Sequence, residues 1–311
     1  MIKNNDVWTK YAPYNNFYEF ISENADRYSI LLKCIDFLKL NSAVIPVDGN
    51  RHIFIFPPRT KSLRASGGIF PFKGTSPVLF SAHYDRVPGS PGANDNSIAV
   101  FHLITAAIKL AIRGTDRWII VFTDKEEIKS GESLEEQGSY SLAKKLISWG
   151  LEKARIFNFD ACGIGDTFIF STTTDSILKD HSNPNVVKIR REIHQLRDHA
   201  LATANLLRYE KLLLAPTPFS DDVGFLRAGL AAQTITLLPS VEAANYESII
   251  RTQSDFADLI ISGRIKEPLE YRRLPETWKN LNNKLDTPTR LTPDYFDLMV
   301  KFMVQLASSK S

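Results

Sequence analysis

Three apolar runs of the sequence are each followed by acidic or imidazole side chains. The run VLFSA leads to His83 and Asp85, and the run WIIVFT leads to Glu126 and Glu127. The run RIFNF leads to Asp160. Imidazole and carboxylate groups are ligands for Zn²⁺ and similar ions, and a carboxylate beside a bound ion can take a proton from water. These residue types indicate metal chemistry if the fold brings them together.

A further acidic residue, Asp95, lies just before a predicted helix, in a stretch that begins with Gly92. Taken alone, each group has a simpler explanation. Asp95 can cap the N-terminus of the helix. The pair Glu126 and Glu127 can form a solvated turn, and Asp160 can belong to a turn as well. Four such groups, in this order, at three strand ends and one helix start, favour one shared site.

The elements that would position these groups follow from hydrophobic periodicity. Strands are predicted at 52–57, 78–82, 118–123, 155–160, 168–171 and 230–238. One or two helices are predicted within 14–40, and single helices at 97–112, 139–148, 183–213 and 293–307. This alternation predicts an α/β fold with three layers, αβα, and a mixed, mostly parallel central sheet. Such sheets bind ligands outside the carboxyl ends of their strands, which is where the polar groups occur.

Residues 239–285 carry many aromatic and charged side chains without a clean period. We expect this segment to be an excursion that forms a lid or shapes a pocket. The chain of 311 residues is long for one domain, but large α/β enzymes reach this length. We therefore predict a single domain, 1–311, with 239–285 as its excursion.

Composition narrows the class of partner. The net charge of +3 is small, so neither nucleic acid nor an anionic membrane is expected as a partner. The two cysteines, Cys34 and Cys162, suit a reducing compartment. The first residues do not look like a signal peptide, and no run of 18 apolar residues occurs. A cytoplasmic protein is the expectation.

The stretch SAHYDRVPGSPGANDNSIAV, residues 81–100, resembles the signature of the co-catalytic zinc aminopeptidases. That family includes secreted bacterial leucyl aminopeptidases, glutamate carboxypeptidase and the glutaminyl cyclases. Its pattern has H-x-D, an Asp before a helix, Glu-Glu after a strand, a later Asp after a strand, and Ser-Asp-His. The matching residues here are His83 to Asp85, Asp95, Glu126 with Glu127, Asp160 and, incompletely, Ser220-Asp221-Asp222. The resemblance covers about residues 75–310 and implies a zinc-exopeptidase fold.

The resemblance also implies how metal ions would be held. One ion would bind His83, Asp95 and Asp160. Asp95 would bridge to a second ion held by Glu127. Zinc is the implied metal, and Mn²⁺ or Co²⁺ are possible substitutes.

Two further residues receive catalytic roles from the resemblance. Asp85 would orient the imidazole of His83. Glu126 would be the general base that takes a proton from metal-bound water. The implied activity is that of a metal-dependent aminopeptidase, or a related amide hydrolase, acting on small peptides or amino-acyl substrates.

The sequence departs from the family pattern in three places. The family supplies a His in a segment like H-T-x-x-D-T, but the matching segment NNKLDT begins with Asn282. Asp222 replaces the His of Ser-Asp-His, and residues 128–136 are inserted after the Glu-Glu pair. The second ion site is incomplete unless Asn282, Asp222 or Asp286 supplies an oxygen. We expect one tightly bound ion and a weaker second one.

The loss at Asn282 leaves a second function open. The protein could be a catalytically weak or inactive family member that binds a ligand or partner. Retention of Glu126 and Asp85 favours the enzyme. A glutaminyl cyclase fits less well, because a single-zinc cyclase of this family would use the missing His.

Overall fold

Strands and helices alternate along much of the chain. The computed structural model describes residues 14–60, 72, 75–128, 131–262 and 268–309. Its strands are β1 (Asn41–Val47), β2 (Asn50–Phe56), β3 (Val78–His83), β4 (Trp118–Thr123), β5 (Arg155–Phe159), β6 (Thr167–Ser171), β7 (Leu212–Ala215) and β8 (Ala232–Leu238). Its α-helices are α1 (Phe17–Phe20), α2 (Arg27–Phe37), α3 (Ile98–Arg113), α4 (Gly138–Ser148), α5 (Thr173–Ile177), α6 (Pro184–Leu206), α7 (Asp221–Arg227), α8 (Ser240–Thr252), α9 (Ser254–Ile261), α10 (Pro268–Tyr271), α11 (Glu276–Lys279) and α12 (Phe296–Ser308).

The described strands form one eight-stranded sheet in the order β1-β2-β4-β3-β5-β8-β6-β7. The central strands β4, β3, β5 and β8 run parallel. The pairings of β1 with β2, β2 with β4 and β6 with β8 are antiparallel. His83 is aligned with Thr123, so β3 and β4 end side by side. The predicted mixed, mostly parallel sheet is confirmed.

Alternate side chains of each central strand point to opposite faces of the sheet. On one face, Phe80 and Phe157 pack in a hydrophobic cluster with side chains of α2, α3, α6 and α12. On the other face, Leu79 and Ile156 pack with side chains of α4 and α7. Helices cover both faces, which confirms the three-layer αβα architecture.

The segment 239–285 forms helices α8 to α11 in its described part. Tyr246, Ile260 and Trp278 from this segment pack with Ile169 and Leu238 of the sheet in a third hydrophobic cluster. Three of the four helices have eight residues or fewer, which explains why no clean period is visible in the sequence. Whether the chain is a single domain stays a prediction.

Several elements differ from the sequence prediction, among them the short helices α5 and α7, which were not predicted. Strand β1 was not predicted, because only two of its seven residues are buried and Pro46 interrupts any β pattern. The helix predicted at 183–213 ends at Leu206, and Leu212–Ala215 is strand β7 instead. Arg208 has a positive φ of 55°, which turns the chain out of the helix.

One described helical stretch, Ala93–Arg113, is long and apolar enough to cross a membrane by length and composition. However, 72% of its apolar window is buried inside the structure. It combines the irregular turn Ala93–Ser97 with α3, which packs against the sheet. Its apolar character is explained by this position in the core.

A buried arginine ties helix α2 to the loop that follows β3. Arg27 is 6% exposed, and its guanidinium donates hydrogen bonds to four backbone carbonyls and one hydroxyl. The acceptors are the carbonyl oxygens of Tyr84, Asp85, Pro91 and Gly92 and the hydroxyl of Ser97. Burial, with the nearby charge of Arg86, lowers the pKa of Arg27 to about 9. The loop thus depends on a side chain more than 50 residues away.

Replacing Arg27 with methionine should destabilise the protein. Arg27→Met leaves several buried carbonyl oxygens without a donor, so we expect the free energy of unfolding to fall by about 3 kcal/mol. Chemical denaturation would measure it. Arg59→Met, at an exposed position, is the matched control and should change little. Equal effects of the two substitutions would contradict a role of Arg27 in holding the loop after β3.

Candidate metal centre

His83 is the last residue of β3, and its side chain is only 1% exposed. Its Nε2 atom lies 3.0 Å from Oδ1 of Asp95 and 3.8 Å from Oδ1 of Asp160. Its Nδ1 atom lies 3.4 Å from Oδ1 of Asp85. The parallel strands and the turn before α3 therefore bring these three carboxylates around one imidazole.

Asp85 connects the imidazole to the acidic turn after β4. One oxygen of Asp85 accepts a hydrogen bond from the backbone N–H of Glu126 at 3.2 Å, and the other accepts from Glu127 at 3.0 Å. Burial alone would raise the pKa of Asp85, but His83 and these two N–H groups lower it overall. Asp85 therefore stays ionised and fixes His83 relative to the turn that carries Glu126 and Glu127.

The turn that carries Asp95 is shaped by a glycine and by a distant carboxylate. Gly92 has a φ of +59°, and a Cβ there would lie 2.7 Å from the carbonyl oxygen of Asp95. The two oxygens of Asp286 accept hydrogen bonds from the backbone N–H groups of Asn94, at 2.8 Å, and Asp95, at 2.9 Å. Both oxygens of Asp286 are therefore engaged in holding this turn.

Asp160 follows β5 and is fixed by a chain of polar side chains. The hydroxyl of Ser220 donates to Oδ2 of Asp160 at 2.6 Å. The side-chain amide nitrogen of Asn158 donates to the Ser220 hydroxyl at 2.7 Å, and the hydroxyl of Ser81 donates to the side-chain oxygen Oδ1 of Asn158 at 2.9 Å. This series of hydrogen bonds occupies Oδ2 of Asp160, while Oδ1 lies on the side of His83.

The unpaired atoms at this site fit a metal ion. Nε2 of His83, Oδ1 of Asp160 and Oε1 of Glu127 are buried without a hydrogen-bond partner among the described residues. Candidate ligand atoms form two groups, and within each group all of the atoms lie within 4.8 Å of one another. One group comes from His83, Asp95 and Asp160, and the other comes from His83, Glu126 and Glu127. Buried unpaired nitrogen and oxygen atoms are costly unless a cation binds them. The donor set suits a divalent ion such as Zn²⁺.

The candidate replacements for the missing family His differ in position. Asn282 lines the cleft together with Asp95 and Glu126. Asp222 is buried and is not among the residues that line the cleft. Asp286 already accepts two backbone hydrogen bonds. Of the three, only Asn282 lines the cleft, and its side-chain oxygen is neutral.

The acidic groups of the site suppress one another's ionisation. Burial, followed by the charges of neighbours such as Asp95, raises the pKa of Glu127 to about 9. Burial and the charges of Glu127, Asp160 and Asp221 raise the pKa of Glu126 well above its usual value, although His83 opposes them. Burial alone would lower the pKa of His83, but the surrounding carboxylates raise it well above normal. A bound cation would reverse this balance in favour of the ionised carboxylates.

Gln137 is a contact of the site that the sequence did not reveal. It follows the inserted residues 128–136 and is 3% exposed. Its side-chain amide donates to Oε1 of Glu126 at 3.1 Å and to the Glu126 carbonyl oxygen at 3.3 Å. The residue that directly follows the insertion thus holds the carboxylate of Glu126 in position. A glutamine outside any motif gave no signal for this contact.

These groups open into a cleft with a volume of about 440 Å³. One side is the acidic centre. The other side is mostly apolar and comes largely from the segment 239–285 and the loop before α7, through Phe219, Ile260, Leu274, Trp278 and Leu281. The segment 239–285 therefore contributes a wall of the cleft.

The sequence matches the family model "Peptidase family M28" over residues 69–268, which is more than half of the chain. The chain belongs to this family. Membership supports a metal-dependent hydrolase with peptidase-like chemistry. Among curated proteins, no sequence match is found.

Solved structures agree on the fold. A zinc aminopeptidase from Bacillus subtilis shares 17% identity with a TM-score of 0.50, covering 82% of this chain and 49% of the aminopeptidase. This chain therefore spans about half the length of that enzyme. Glutaminyl cyclase of Bacteroides thetaiotaomicron, bound to N-acetylhistamine, shares 15% identity with a TM-score of 0.59, covering 96% and 95% of the two chains. LapA of Legionella pneumophila shares 12% identity with a TM-score of 0.57, covering 99% and 76%.

The raised pKa values predict how the stability of the metal-free protein depends on pH. Between its usual pKa of 4.5 and the folded value of about 9, Glu127 loses its proton in the unfolded chain but keeps it in the folded one. The raised pKa of His83 acts in the same direction. Stability in EDTA should therefore fall as the pH rises from about 5 to 8, and added Zn²⁺ should reverse this decline.

Thermal unfolding across this pH range would test that prediction. Asp222→Asn should flatten the decline, because burial raises the pKa of Asp222 to about 7 and an amide mimics its protonated form. Asp180→Asn, at an exposed position, is the matched control and should leave the slope unchanged. A constant or rising unfolding temperature in EDTA would contradict the assigned pKa shifts.

The neutral oxygen of Asn282 predicts unequal metal sites. Dialysed protein should retain about one ion, because His83, Asp95 and Asp160 supply three strong ligands while the ion at Glu127 lacks one. Asn282→His should raise the affinity for a second Zn²⁺. Elemental analysis and Zn²⁺ titration of both proteins would measure this. Two equally tight ions in the unmodified protein would contradict the prediction.

Proposed function

We propose that this protein is a metal-dependent aminopeptidase that removes an N-terminal residue from small peptides. The observation that carries the proposal is the position of Glu126. Its buried carboxylate is held by Gln137 at the edge of the cleft, beside the candidate ligands His83, Asp95 and Asp160. A carboxylate in this position, with a raised pKa, is suited to act as a general base.

The proposed mechanism assigns a task to each residue. His83, Asp95 and Asp160 would hold one ion, and Glu127 would join Asp95 at a weaker second one. The bound metal would polarise the peptide carbonyl and lower the pKa of water.

The remaining steps belong to the chain's own side chains. Glu126 takes the proton of the attacking water and then delivers it to the leaving amine. Gln137 keeps Oε1 of Glu126 in place by its hydrogen bond. Asp85 keeps the imidazole of His83 oriented, as a carboxylate behind a ligating histidine does.

The charge of the cleft favours cleavage from the amino end. The acidic side chains of Asp95, Glu126 and Asp160 line it and attract a free α-amine. None of its described lining residues is Lys or Arg, so a C-terminal carboxylate has no cation to bind there. The apolar wall at Leu274 and Trp278 would accept an apolar N-terminal side chain.

The alternative is a weak or inactive family member that binds a peptide or partner without turnover. The observation in its favour is Asn282, which gives the second ion site only a neutral oxygen. It predicts that metal binds and that ligands bind, but that no amide bond is cleaved.

Assays of amino-acid anilides separate these functions. With Zn²⁺, Mn²⁺ or Co²⁺, we expect leucyl and phenylalanyl anilides to be hydrolysed and their N-acetylated forms to resist, because acetylation removes the α-amine. A glutaminyl peptide tested in parallel reports cyclase activity. Binding of the anilides without hydrolysis would favour the binding protein. Conversion of the glutaminyl peptide alone would favour a cyclase.

The two neighbouring glutamates should respond differently to substitution. Glu126→Gln should lower kcat by about 10²–10⁴ while metal content stays unchanged, because a base is lost but no ligand. Glu127→Gln should instead lower metal content, which elemental analysis would measure. Equal loss of metal in both variants, or full activity of Glu126→Gln, would contradict these roles.

A further inference from the structure

A second cavity lies at the opposite ends of the strands from the metal centre. Its volume is about 750 Å³, larger than that of the cleft. Its lining includes Arg155 at the start of β5 and Ala231 just before β8. Asp160 follows the other end of β5, and five strand residues span about 16 Å. The two sites are therefore separate, at opposite edges of the sheet.

Arg155 provides an uncompensated positive charge in this cavity. Its Nη1 atom lies 3.0 Å from Nδ1 of His199. Its Nε atom is buried and has no hydrogen-bond partner among the described residues. None of the carboxylates in the described part of the chain forms an ion pair with Arg155. Because a guanidinium only donates, Nδ1 of His199 must accept, and the imidazole is neutral.

The other charged residues of the cavity nearly cancel. Lys188 and Glu192 form an ion pair at 3.7 Å, and Lys153 and Glu152 are both exposed and of opposite sign. Among the described residues of the lining, the net charge therefore comes from Arg155. Burial lowers the pKa of Arg155 somewhat, but a guanidinium remains charged at neutral pH.

An apolar wall continues from the charged end. It comes from one side of helix α6, through Leu196, Ala202 and Leu206, and from Ala231. Leu206 is 66% exposed, so this part of the wall is open to solvent. A single positive charge beside an apolar wall is complementary to a small anion with an apolar body.

We propose that this cavity binds a small organic carboxylate. The carboxylate accepts hydrogen bonds from the guanidinium of Arg155 where it lines the cavity, as planar guanidinium groups favour. The aliphatic or aromatic body of the ligand packs along Leu196, Ala202 and Leu206. This site is independent of the proposed peptidase activity.

Hexanoate is a suitable probe for this site. Calorimetric titration is performed on the full chain in excess EDTA, so that no metal ion can bind the carboxylate, and is then repeated on the zinc-loaded protein. Hexanoate should bind equally in both. Hexylammonium and inorganic phosphate, which lack the charge or the apolar body, should bind at least about tenfold more weakly.

Two variants locate the binding. Arg155→Gln should weaken hexanoate binding about tenfold or more, because charged hydrogen bonds are lost. Arg117→Gln is the matched control, since Arg117 precedes β4 at the same edge of the sheet, is exposed and does not line the cavity. Ala202→Phe fills the cavity from an exposed position of α6, with little risk to folding, and should also abolish binding.

Three results would overturn the proposal. The first is no detectable binding of hexanoate to the unmodified protein. The second is unchanged binding in a folded Arg155→Gln variant or in Ala202→Phe. The third is phosphate or hexylammonium binding as tightly as hexanoate. Loss of binding in Ala202→Phe alone would suffice to place the ligand in this cavity if Arg155→Gln failed to fold.

Discussion

Repulsion between carboxylates that are packed out of water governs this structure. Asp85, Asp95, Glu127 and Asp160 surround the single imidazole of His83, and Glu126 lies beside them. Without a cation, such a group is tolerated only by retaining protons, which is why the pKa values of Glu126 and Glu127 are raised. The fold must therefore supply enough rigidity elsewhere to hold these groups together.

That rigidity comes from polar contacts that reach the ligand loops from distant parts of the chain. Arg27 fixes the backbone between β3 and α3, and Asp286 fixes the turn that presents Asp95. Ser220 fixes Asp160 from another direction. Each contact satisfies a buried backbone or side-chain group, so each contributes to folding as well as to the geometry of the site. Stability and metal binding are consequently coupled in this protein.

The sequence predicted the fold class and which polar residues meet, because both follow from local patterns. A buried parallel strand is an apolar run, and the residue after it lies at the ligand-binding edge, as His83 and Asp160 do. Gln137, Arg27 and Asp286 could not be predicted in the same way. Their contacts depend on how separate segments pack, and no local pattern marks a glutamine or arginine that will be buried. Strand β1 was not predicted for a related reason, because it has no continuous apolar face.

The wall of the cleft has its own hydrophobic support. Trp278 and Leu274 pack in a cluster with Tyr246 and Phe256 that is separate from the two clusters beneath the ligand-bearing strands. Substitutions in this cluster can reshape the space offered to a substrate while leaving the frame around His83 intact. The shape of this wall can therefore change without repacking the strands that carry His83 and Asp160. The same separation makes the segment 239–285 a natural region for directed evolution of new specificities.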